Sequence, residues 1–136
     1  MAHGSSRSKA RKRALDILFE AELRGTDAVT TLEERAAAGD PPVRDYTTEL
    51  VRGVAAHASE IDARISACLA AGWTLQRMPR VDRNALRIAV YEIDYGEMPD
   101  AVAISEAVQL VSDLSTNDSP AFVNGVLRAI ATSRVG

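Results

Sequence analysis

Cysteine occurs once, at Cys68, which excludes an intrachain disulfide and any metal site built from a cysteine cluster. Its apolar neighbours point to packing. The two histidines, His3 and His57, are scattered, with no partner at metal-ligand spacing. His57 falls near a predicted helix end, where a cation suits the macrodipole. No glycine-rich phosphate loop, zinc-ligand cluster or nucleophile elbow is present, so neither catalysis nor a cofactor is expected. Paired acids such as Glu33 and Glu34 read as a solvated surface. No apolar run approaches the roughly 20 residues that a membrane helix needs, and no charged start followed by an apolar stretch marks export. A cytoplasmic protein with no membrane partner is the expectation. Aromatic residues are also scarce, one Trp, three Tyr and two Phe among 136 residues. Ala, Leu and Val dominate instead, which favours helices packed closely on helices and an all-α fold in one domain.

Charge is present but unevenly placed. Arg7, Lys9, Arg11, Lys12 and Arg13 all precede the first acid, Asp16, so a chain of net charge −3 is net −8 from residue 14 onward. Such segregation marks an end that meets an anion, commonly nucleic acid; the competing reading is a solvated, solubilising tail.

Apolar periodicity predicts seven helices, one of them short. Residues 1–7 are expected to form a mobile basic arm. A helix follows from about Ser8 to Arg24, with Ala10, Ala14, Ile17, Leu18 and Ala21 on one face, widened by Leu15, Phe19 and Leu23. Gly25 stops it and Asp27 caps a short helix to about Ala38. Val43, Tyr46, Leu50, Val51 and Val54 define the third helix, and Glu60 to Ala71 the fourth. Trp73 to Met78 reads as a turn closed by Pro79, with Trp73 as a hydrophobic anchor or, alternatively, a base-stacking group. That junction divides the helical domain of 8–136 into an N-terminal bundle, about 8–72, and a C-terminal one, about 73–136. Asp82 opens the most apolar helix, expected to be central and buried. Ala101 to Leu114 follows. The closing helix starts at Ser119, a candidate cap, and Pro120, suited to the first helical position. Gly125 in its middle costs about 1 kcal/mol relative to Ala, which close approach of a neighbouring backbone would explain.

Three ordered blocks carry a family resemblance: Val-Asp-Arg-Asn-Ala-Leu-Arg-Ile-Ala-Val-Tyr-Glu-Ile from Val81, Val-Ala-Ile-Ser-Glu-Ala-Val-Gln-Leu from Val102, and Asp-Ser-Pro-Ala-Phe-Val-Asn-Gly-Val-Leu from Asp118. Together they resemble the C-terminal half of the NusB family of bacterial transcription antitermination factors. Tyr46, Leu50, Gly53 and Val54 extend the resemblance into the N-terminal half. It implies an all-helical protein of two small bundles that binds the boxA element of ribosomal RNA operon transcripts. The implied protein partner is the ribosomal protein NusE, in a heterodimer that joins RNA polymerase and suppresses termination.

The resemblance also implies roles for particular residues. Arg7, Lys9, Arg11, Lys12 and Arg13 match the family's arginine-rich start and are candidates for phosphate contact on single-stranded RNA. Phe19 stands where the family usually has tyrosine, leaving stacking or packing. Asp118 and Phe122 match an aspartate and a phenylalanine close to the RNA surface. Phe122 is a stacking candidate with a competing place in the core. Asp118 would limit indiscriminate RNA binding by repulsion. Asp82 falls where the family has an acid implicated in contact with the protein partner, its alternative being an acid favoured at a helix start. Pro120 and Ala121 replace larger polar or basic residues of some relatives. Two other readings stand beside this one. A NusB-like module assists rRNA binding in certain RNA cytosine methyltransferases, but a sequence ending at Gly136 favours the stand-alone factor. A helical DNA-binding regulator would need a helix and tight turn ahead of the basic helix. Some relatives self-associate, so a homodimer stays open.

Overall fold

The computed structural model describes residues 5–133, and within them the chain forms seven α-helices and one short 3-10 turn. They are α1 (Ser6–Arg24), α2 (Ala28–Ala38), α3 (Asp45–Ala56), α4 (Ala58–Ala67), α5 (Arg80–Asp94), α6 (Asp100–Leu114) and α7 (Ser119–Thr132), with the turn at Leu75–Arg77. The fold is all-α, as composition and periodicity lead one to expect. The helices group into two compact units that divide after Ala56. The boundary expected before Trp73 thus lies earlier, and α4 belongs with the C-terminal helices. The physical reason is a pair of two-pronged ion pairs. Arg64 on α4 grips Asp94 on α5 at 2.8 and 2.9 Å, and Arg87 on α5 grips Asp62 on α4 at 2.8 and 3.0 Å.

In the N-terminal unit α1 packs on α2 and α3. Ser5 caps α1 by accepting from the Ser8 amide at 3.0 Å, so the helix takes in Ser6 and Arg7, residues expected to be mobile. The first four residues of the expected arm lie outside the described residues. At the far end Gly25 adopts φ +68°, the left-handed stop expected of it. Ala10, Ala14 and Ile17 are buried, whereas Leu23 is 58% exposed and does not widen the apolar face. The buried Thr47 hydroxyl donates to the Ala10 carbonyl at 2.9 Å, fastening α3 to α1.

Glu20 pins α1 to α2. Its carboxylate accepts from both sides of the Arg35 guanidinium and from Arg24 at 2.9 Å. The Arg35 hydrogen bond, foremost, holds the Glu20 carboxyl below its ordinary pKa of 4.5, and Arg24 adds to it against the opposing effect of burial. A carboxylate with a depressed folded pKa stabilises the fold fully above its unfolded pKa and loses that contribution as pH falls through the folded value. Stability is therefore expected to fall on acidification below about pH 4.5, and Glu20→Gln to flatten that acid limb without altering the neutral plateau's slope. Thermal melts at successive pH values read this directly.

In the C-terminal unit α5 is the central helix, packed against α4, α6 and α7. Ala85, Leu86, Ile88, Ala89 and Val90 are each at most 1% exposed. Pro79 precedes α5 and Pro99 precedes α6, each ending the segment before it. In α7 the apolar stripe Val123, Val126, Leu127 and Ile130 is buried as expected. Gly125 is not closely approached. It is exposed, and a Cβ built there meets nothing within 4 Å. Gly125→Ala is accordingly expected to stabilise the unit by about 1 kcal/mol, read as a higher denaturation midpoint with an unchanged slope.

Candidate RNA interface

On the N-terminal unit, helical spacing sorts the five basic residues into two stripes. Lys9, Lys12 and Arg13 share one stripe with Asp16 and line a shallow cleft of about 290 Å³, joined by Arg44 from the segment before α3. The Lys12 ammonium lies 3.8 Å from Asp16, both more than half exposed, a pair that solvent screens to little net effect. The cleft is therefore dominated by cations. Phe19 lies three residues beyond Asp16 and is half-buried, outside the cleft lining.

Arg7 and Arg11 turn instead to Tyr46 on α3. Their guanidinium carbons stand 4.4 and 5.6 Å from the ring centroid, in cation–π range. Arg7 stays exposed, but Arg11 is only 3% exposed. The phosphate contact expected of Arg11 is thus not served by an open side chain; position 11 follows Ala10 onto the buried face and the arginine packs on Tyr46. Arg44 gave no sequence signal, since it is an isolated arginine brought to the cleft only by the tertiary fold.

On the C-terminal unit, Trp73, Met78, Pro79, Asp82, Thr116, Asp118, Ser119 and Phe122 line a cleft of about 300 Å³. The Trp73 and Phe122 rings meet with centroids 5.7 Å apart and planes tilted by 42°. Phe122 is half-buried, and Trp73 is 48% exposed, so the expected hydrophobic anchor presents nearly half its surface to solvent. Asp118 is exposed one turn before Phe122. It occupies the N-cap position of α7 without a side-chain capping bond.

Beneath the cleft Asp82 is 2% exposed. One carboxylate oxygen accepts from the Ser115 hydroxyl at 2.7 Å and the other from the Ser119 hydroxyl at 2.9 Å. Asp82 stands in the first turn of α5, where its charge suits the dipole. Its position is that of an internal anchor rather than of a group presented to a partner. Ser119 differs from the expected cap: its hydroxyl accepts from the Thr116 amide at 3.2 Å and turns inward to Asp82. Among the described residues no group of three His, Cys, Asp or Glu is placed to hold a metal ion, and no helix is long and apolar enough to cross a membrane. His57 stacks on Tyr95 at 3.8 Å, and the Cys68 sulfur lies 3.9 Å from the Ser133 hydroxyl.

The sequence model of the NusB family matches residues 8–132. The chain belongs to the NusB family. The transcription antitermination protein NusB of Nocardioides sp. is 54% identical over 131 residues, covering 96% of each chain. That of Acidothermus cellulolyticus is 56% identical over 130 residues, covering 95% of this chain and 89% of the relative. Among solved structures, T. maritima NusB superposes with a TM-score of 0.84 at 33% identity, covering 97% of this chain and 94% of that one. A chain from the crystal structure of antitermination factors NusB and NusE in complex with dsRNA gives 0.82 at 29% identity, with coverages of 94% and 97%. As a NusB-family member this chain thus carries the family's helices over nearly its whole length, with the cationic cleft and the aromatic cleft each built within one unit.

Proposed function

We propose that this chain is a transcription antitermination factor that binds boxA RNA of rRNA operon leader transcripts together with NusE and acts on the RNA polymerase elongation complex. The observation that carries the reading is the pairing of chemistries that RNA recognition requires, on a chain whose relatives are transcription antitermination proteins. Lys9, Lys12, Arg13 and Arg44, with Arg7, neutralise phosphates and release counterions. The exposed aromatic surface at Phe122 supplies a stacking face. Asp118 repels phosphates and so penalises indiscriminate binding, and Asp82 acts through the backbone by holding the start of α7, where Asp118 and Phe122 reside. The likeness to the chain solved with NusE and dsRNA supports a protein partner and an RNA ligand together.

The test is fluorescence anisotropy of labelled boxA-like RNA, a scrambled RNA, the corresponding RNA duplex and a duplex DNA, with and without NusE. Tighter binding to boxA-like RNA, strengthened by NusE, is the expected result. Equal weak binding to all four, indifferent to NusE, would sink the reading.

A further inference from the structure

The cleft on the C-terminal unit has three properties that together specify more than a generic RNA contact. Its wall is aromatic and apolar, with Trp73, Phe122, Met78 and Pro79 around a space of about 300 Å³. That space is ample for one nucleobase and too small for a stretch of duplex. Trp73 keeps 48% of its surface exposed although Phe122 is its ring neighbour, so the indole leaves room for a planar group to lie against it. Asp118 lines the same cleft with an exposed carboxylate that does not cap its helix, whereas the second carboxylate of the cleft, Asp82, is committed to Ser115 and Ser119.

A carboxylate only accepts hydrogen bonds, through two oxygens side by side. Opposite it, a nucleobase must offer donors and keep its own acceptors away. Uracil presents one N–H between two carbonyls. Cytosine and adenine each present an amino group beside a ring nitrogen acceptor, which a carboxylate repels. Guanine alone places two donors together on its Watson–Crick edge, the N1–H and the N2 amino group, matching the two oxygens.

We propose that the Trp73–Phe122 cleft is a slot for a single unstacked guanine, stacked on the aromatic pair and read along its Watson–Crick edge by Asp118. The inference rests on the RNA-binding reading above and adds the base and the residue that identifies it. It also gives the Asp118 charge a two-sided effect: the carboxylate weakens contact with any RNA backbone and is offset only where a donor edge faces it. Specificity then arises from a penalty on every other base as much as from attraction to the right one.

The experiment uses the full chain and short, uridine-rich single-stranded RNAs that contain one guanosine, or inosine, adenosine or uridine in its place. Inosine keeps the N1–H and lacks only the N2 amino group. Two readouts are taken from one titration: anisotropy of the labelled RNA for binding, and emission of Trp73, the chain's single tryptophan, for occupancy of the slot. The guanosine RNA is expected to bind about tenfold more tightly than the inosine RNA, in the range a bidentate base contact provides, and to quench Trp73. Asp118→Asn is expected to bring the guanosine-to-inosine ratio close to one while RNA binding persists. Asp118 is exposed, so this variant leaves the core untouched. Equal affinity for all four RNAs with unchanged Trp73 emission would overturn the slot and leave RNA binding standing. Quenching of Trp73 by NusE without RNA would give the cleft to a protein segment and overturn it as well. Absence of any anisotropy change would remove the functional reading itself, and the slot with it.

Discussion

Asp82→Ala is expected to destabilise the protein by about 3 kcal/mol, lowering the melting temperature by roughly 10 °C. The carboxylate is 2% exposed, yet it is the shared acceptor for Ser115 and Ser119, at the end of α6 and the start of α7. Hydrogen bonds to an ionised acceptor contribute roughly 1.5–3 kcal/mol each, and the negative charge in the first turn of α5 adds a fraction of that. Truncation removes all three effects and leaves two hydroxyls in a dry site. They are not stranded entirely, since the Ser119 hydroxyl lies 3.1 Å from that of Ser115 and 2.8 Å from that of Thr116. That residual pairing is why the expected loss stops near 3 kcal/mol. Asp82→Asn keeps an acceptor and loses the charge, so its cost should be about half. Urea unfolding separates the cases: a lower midpoint at unchanged slope supports the anchor, and a midpoint within 0.5 kcal/mol of the parent, on the order of a neutral surface change, would refute it.

The second large effect concerns RNA. Changing Lys9, Lys12, Arg13 and Arg44 together to glutamine is expected to weaken RNA binding by roughly two to three orders of magnitude at about 50 mM salt. If each cation neutralises one phosphate, four of them give log affinity a slope against log salt near −3, at roughly −0.7 per phosphate on single strands. The parent should then lose about 50-fold in affinity between about 50 and 200 mM salt. The quadruple variant should be left with roughly the −0.7 that Arg7 supplies. These side chains lie outside the buried set of α1, so helicity should not change. A variant that keeps the parent's slope would remove the cationic cleft from the mechanism, whatever its affinity.

The helices were legible because their signals are local. Asp27 and Gly25 act within a few residues of themselves, and the period of α5 is carried by its own apolar residues. Boundaries slipped where several neighbours qualify for one role. Ser5, Ser6 and Ser8 can each cap a helix, and the tertiary structure decides for Ser5. The site was only half legible for the same reason. The basic run announces an anion site, but its division into a solvent stripe and an Arg7–Arg11–Tyr46 stack depends on where α3 lies. Arg44 reaches the cleft by folding alone. The inward turn of Ser119 was hidden because its partner, Asp82, is 37 residues away and nothing local distinguishes a capping serine from one that anchors. Gly125 misled because a costly glycine suggests a close neighbour, and within the unit there is none.

The clamp at Arg64 has a bearing on how the C-terminal unit moves. Besides Asp94, the last residue of α5, its guanidinium bonds the Ile130 carbonyl at 3.2 Å and the Ser133 hydroxyl at 3.0 Å at the end of α7. Helix ends ordinarily fray one by one, each with its own low opening free energy. Here one cation satisfies the closing turns of two helices, and its charge suits the negative pole of both. Neither end can peel away without unmaking bonds that also hold the other. The terminal amides of α5 and α7 therefore exchange with solvent in step, as a single cooperative unit hinged on a side chain from α4.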